Sequence, residues 1–125
     1  TVPVEYSYDE AGGLLILCGH GGVSVADRQE CLERLLADRS LPVATPVLID
    51  VSAISSTPDI DDVPRIAWIV GRLRLHLGGR VALLNARAGH ATISALVALH
   101  ADPAGDGVRA FVSAAEARRW LAGAV

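Results

Sequence analysis

The chain has 125 residues, 51% of them hydrophobic and 20% charged, with a formal net charge of -3. That is one domain with enough apolar side chains for a core, not a disordered segment. The acidic balance argues against a nucleic-acid binder, which needs a cationic face, and no apolar run approaches the roughly 18 residues of a membrane span.

Val4–Tyr8 alternates apolar and polar positions, as a half-buried strand does. A turn at Asp9–Gly13 leads into the continuously apolar Leu14–Cys18, so the chain opens on a predicted β-hairpin. Gly19-His20-Gly21-Gly22 ends it. Ser24, with Asp27 three residues on, predicts a capped helix that buries Val25, Leu32, Leu35 and Leu36 and stops near 38–40, ahead of Pro42. Cys18 falls in a predicted strand and Cys31 in a predicted helix, each among core residues, so two separate buried thiols are expected rather than a disulfide. No Cys-x-x-Cys spacing supports a zinc or redox centre. A cytoplasmic compartment, with no signal peptide ahead of the first strand, is the default expectation.

Val47–Val51 reads as a second buried strand that empties into the hydroxyls Ser52, Ser55, Ser56 and Thr57. A second helix is expected from about Pro58 to Leu77, capped by Thr57, with Ile60, Val63, Ile66, Ala67, Val70, Leu73 and Leu77 along one stripe. Pro64 either tightens its first turn or marks its true start. Gly78-Gly79 ends it, and Arg80–Leu84 is a third buried strand. After a loop over 85–90, a helix at Ala91–His100 places Ile93, Leu96, Val97 and a half-buried His100 on one stripe. Strand Val108–Val112 and a helix capped by Ser113 and Glu116, burying Ala117, Trp120 and Leu121, close the chain. The predicted order is ββαβαβαβα. It implies an α/β domain spanning residues 1–125, with a central mixed sheet of about five strands packed with about four helices.

This order resembles the STAS family (sulfate transporter and anti-sigma factor antagonist), in particular the bacterial proteins like sporulation anti-sigma factor antagonists. The residues that carry the resemblance are Leu14–Gly21, Pro46-Val47-Leu48-Ile49-Asp50, Arg80–Leu84, and Val108–Phe111 followed by Glu116–Leu121. These are patterns of burial rather than catalytic signatures. The resemblance implies regulation by protein–protein contact, through a phosphorylatable serine in a turn after the central strand. In this chain that turn falls at Thr57-Pro58-Asp59-Ile60, so the carboxylate of Asp59 stands where the acceptor hydroxyl belongs. The layout is also shared with the lipid-binding CRAL-TRIO fold, which implies a small lipid or metabolite carrier as the alternative.

Three constellations are candidates for function. Ser52, Ser55, Ser56, Thr57 and Asp59 lie at the carboxyl edge of the expected parallel sheet. Arg87 and His90 in the next loop could face them across a crevice, there to hold a small apolar or anionic ligand. The ordinary reading is that the hydroxyls satisfy loop amides, while Asp59, Asp61 and Asp62 complement a helix dipole rather than bind metal. A Ser56 pairing with His20 or His90 would make a small hydrolase, but no nucleophile elbow supports it. Third, Trp68, Ile69 and Leu75 lie off the main stripe of the second helix, and with Trp120 they suggest a surface for a protein partner or a second copy. The expectation is therefore a non-enzymatic regulatory or binding module without cofactor or metal.

Overall fold

The computed structural model describes residues 3–87, 89 and 91–123. Its two opening strands, β1 (Val4–Asp9) and β2 (Leu14–Gly19), pair antiparallel with Tyr6 opposite Leu17. Three parallel strands follow: β3 (Thr45–Asp50), β4 (Gly78–Leu84) and β5 (Val108–Phe111). They add one after another, so the sheet order is β1-β2-β3-β4-β5. The connecting helices are α1 (Val25–Ala37), α2 (Val63–Leu77) and α3 (Ala91–Ala101), and α4 (Ala114–Leu121) follows the last strand. Among the described residues the fold is thus α/β, with a five-stranded mixed sheet and four α-helices, as the sequence predicts.

Sequential addition of parallel strands by crossovers of one hand puts every crossover helix on the same side of the sheet. That is what burial shows. Leu15, Leu17, Val47, Val81, Leu83 and Val108 point from the sheet into one cluster with α1, α2 and α3. Their neighbours along the strands, Leu14, Leu48, Ala82 and Leu84, point the other way and meet Ala117, Trp120 and Leu121 of α4. β2, β3 and β4 therefore read as continuous apolar runs because both faces are covered. Leu15, Leu35, Val47 and Val81 are fully buried, each contributing about 1.5–3 kcal/mol.

Local chemistry sets the helix ends. Ser24 Oγ accepts the Asp27 amide at 3.1 Å and Asp27 Oδ2 accepts the Ser24 amide at 2.9 Å, completing the expected capping box. Ser113 Oγ accepts the Glu116 amide at 3.3 Å and caps α4. The second helix takes the later of the two starts expected for it. It begins at Val63, after a single 3-10 turn at Ile60–Asp62, with Pro64 in its opening turn. Thr57 is not its cap: the residue at that position is Asp62, whose side chain makes no capping bond. Ile60, expected on the buried stripe, is 68% exposed. His100, expected half buried, is exposed, and its Nδ1 lies 2.9 Å from the Leu96 carbonyl oxygen.

Beyond α3, Asp102 Oδ2 accepts the Gly107 amide at 2.6 Å and the Val108 amide at 3.1 Å, tying the turn to the start of β5. The Gly107 amide bond, seconded by that of Val108, holds the Asp102 carboxyl below the usual carboxylate range. A depressed folded-state pKa stabilises the fold above the unfolded value of about 3.9, and that contribution is lost as pH falls through the depressed value. Asp102→Asn should therefore lower the urea midpoint at pH 7. The gap from wild type should close in acid, as the pH falls through the depressed value. An equal gap at pH 7 and in acid would contradict this origin.

Candidate functional site

Because β2 through β5 run parallel, the loops that follow them gather at one edge. Backbone bonds join these loops. The Gly21 amide donates to the Ala53 carbonyl at 3.2 Å and the Ser55 amide to the Gly21 carbonyl at 2.8 Å, extending the β2–β3 pairing by a bridge at Gly21 and Ile54. Two of the expected hydroxyls continue this joining. Ser52 Oγ accepts the Ala86 amide at 2.9 Å, and Ser56 Oγ accepts the Val23 amide at 3.4 Å. Arg87 crosses from the β4 loop to donate from Nη1 to the Ile54 carbonyl at 2.5 Å. The loops that carry Arg87 and the serines thus meet through direct hydrogen bonds. His90 lies outside the described residues.

Several candidates take the ordinary reading. Ser56 Oγ accepts a loop amide, that of Val23. His20, the residue after β2, reaches the same edge but is exposed, its amide bonded to the Pro3 carbonyl at 2.9 Å. Ser55, Thr57, Asp59 and Asp61 are exposed and Asp62 is half-buried. Among the described residues no cluster of three or more His, Cys, Asp or Glu side chains could hold a metal ion. Neither cysteine is in a disulfide; Cys31 is buried and Cys18 half-buried. Burial pushes both thiols up, with the carboxylates of Asp50 and Glu5 adding to the effect at Cys18.

The edge leads inward to a cavity of about 120 Å³ between the sheet and α1, α2 and α3. Leu17, Ile49 and Leu83 form its floor, and Cys31, Val70, Leu73 and Val97 line its helical side. Ser56, Thr57 and Arg87 from the loops, Ser94 from α3 and Arg28 from α1 supply polar groups. No family model and no curated protein matches this chain. What the site can do follows from its own chemistry.

Arg28 is the residue that was missed. It is half-buried in the first turn of α1, where its Nη1 donates to the Val23 carbonyl at 3.1 Å. Burial pulls its guanidinium below the ordinary range, countered in part by the carboxylates of Asp62 and Asp27. A signal for it exists in the sequence: Arg28 sits four residues before Leu32 and seven before Leu35, on the apolar seam of its own helix. A cation on such a seam faces the interior and needs a reason to be there.

The expected partner surface is corrected in part. Trp68 is 56% and Leu75 77% exposed, with the Arg72 guanidinium 5.9 Å from the Trp68 ring centroid. Ile69 and Trp120 are each only 8% exposed, so neither belongs to a surface. Ile69 is buried because α2 lies between α1 and α3 and packs against both. Trp120 is buried because α4 packs on the second face of the sheet, against Leu14, Leu48, Ala82 and Leu84. A wide, open hollow of about 740 Å³ runs beside Trp68 and Leu75 toward His100 and Asp106.

Proposed function

We propose that this chain is a non-enzymatic, STAS-like binding module that takes a small lipid or metabolite into the cavity behind its loop edge. The cavity carries the reading. Protein interiors hold few voids larger than a water molecule, and this one is apolar, with polar groups at the loop side, as ligand sites commonly are. Its volume of about 120 Å³ compares with the cavity of about 150 Å³ that takes up benzene in another protein. The edge hydroxyls Ser52 and Ser56 accept amides from the neighbouring loops and so brace the mouth of the cavity.

Native mass spectrometry tests this directly. The purified chain should carry a small non-covalent mass, lost on collisional activation. A spectrum of bare chain only, with no shift in melting temperature across a panel of small apolar compounds, would end the proposal.

A second reading, regulation through protein contact, is favoured by the exposed Trp68 and Leu75 and by the exposed Ser55–Thr57 segment that follows β3. It requires that Trp68→Ala weaken self-association or binding of a defined partner. Sedimentation and capture that match wild type would count against it, as would the absence of phosphate on Ser55, Ser56 and Thr57 in the native host against a switch there.

A further inference from the structure

We infer that the ligand is a carboxylate bearing a short apolar tail, its head held by Arg28 and Arg87 and its tail lying along the sheet floor. This rests on the binding-module reading above and narrows it to one ligand class. Among the described residues that line the cavity there are two guanidinium groups and no carboxylate. The charged groups closest in effect to Arg28 are Asp62 and Asp27, and neither lines the cavity. Asp27 is already engaged by the amide of Ser24.

Among the described residues Arg28 donates to the Val23 carbonyl and Arg87 to the Ile54 carbonyl, one bond each. Arginine offers five N–H donors in a planar fork, so most of each fork is left for another acceptor. A carboxylate fits that fork with charge-assisted hydrogen bonds, whereas an ammonium would meet like charge. An anion could not enter an apolar cavity without such a partner, since the unpaired charge would be too costly to desolvate. Leu17, Ile49, Leu83, Leu73 and Val97 offer the tail only hydrocarbon, and the volume suits about six carbons.

The test compares hexanoate, hexanol, hexylamine and acetate by titration calorimetry on the wild-type chain. Hexanoate should bind about tenfold tighter than hexanol or hexylamine, and acetate should bind more weakly than hexanoate for want of a tail. Arg28→Gln and Arg87→Gln should each erode the preference for hexanoate while leaving hexanol binding unchanged. Should Arg28→Gln fail to fold, having lost its bond to the Val23 carbonyl, the wild-type comparison still decides. Hexanol or hexylamine binding as tightly as hexanoate would overturn the inference and leave the cavity reading standing. Binding by none of the six-carbon compounds would overturn both.

Discussion

Trp120→Ala should lower the unfolding free energy by about 3–5 kcal/mol, the range for truncating a buried aromatic side chain. The ring is 8% exposed and lies among Leu14, Leu48, Ala82 and Leu84. Its centroid is 5.5 Å from that of Phe111, in a tilted pair. The guanidinium of Arg80 lies 4.9 Å from the ring centroid and that of Arg109 5.5 Å. Arg80 Nη1 also donates to the Trp120 carbonyl at 2.7 Å, so side chain and backbone are held together. Little can collapse into the gap, because α4 has eight residues and brings only Ala117 and Leu121 beside Trp120 to the buried cluster. Trp68→Ala is the contrast. Its ring is 56% exposed, so stability should stay within about 0.5 kcal/mol of wild type. Urea unfolding followed by far-UV circular dichroism reads both variants, and equal costs for the two would refute this placement of α4.

Elements whose signal is local were legible in the sequence. The hairpin follows from alternation in Val4–Tyr8 and a glycine turn, and the α1 start from Ser24 and Asp27, whose side chains make the capping bonds expected of them. The α2 start was not legible, because two prolines compete for one role. Pro58 and Pro64 both suit a first helical turn, and Ile60 falls three residues before Val63 on the same stripe. Only the tertiary contacts begin at Val63, which is 2% exposed, against 68% for Ile60. The site divides in the same way. Ser52, Ser56 and Arg87 were legible because they follow strands. The cavity was not, because it lies between α1, α2, α3 and the sheet, and no one segment encodes a gap between elements. Trp68 and Trp120 show why an aromatic residue off an apolar seam is ambiguous: its exposure depends on which neighbour the topology brings over it.

Gly79→Ala should cost about 3 kcal/mol, well above an ordinary glycine effect, because its neighbours are backbone. Thr45 pairs with Gly78 and Val47 with Val81, so Gly79 and Arg80 together oppose Pro46 and make a bulge in β4. Pro46 has no amide to donate to the neighbouring strand, which is why the ladder breaks there. A methyl group on Gly79 would stand 2.3 Å from the Thr45 carbonyl oxygen and 2.4 Å from its carbon. No side chain can rotate away from that contact; β3 and β4 must part, and they are interior strands of the sheet. Gly78 is the control, since the two glycines differ in what a side chain would meet. Gly78 ends α2 with a left-handed φ of 80°, so alanine there costs only the backbone term of about 1–2 kcal/mol. The nearest atom to its added methyl would be Ala44 Cα at 3.8 Å, an ordinary contact. Urea midpoints should therefore fall in the order wild type, Gly78→Ala, Gly79→Ala. The reverse order for the two variants would mean that the helix cap, not the close approach of β3, is what requires glycine at this junction.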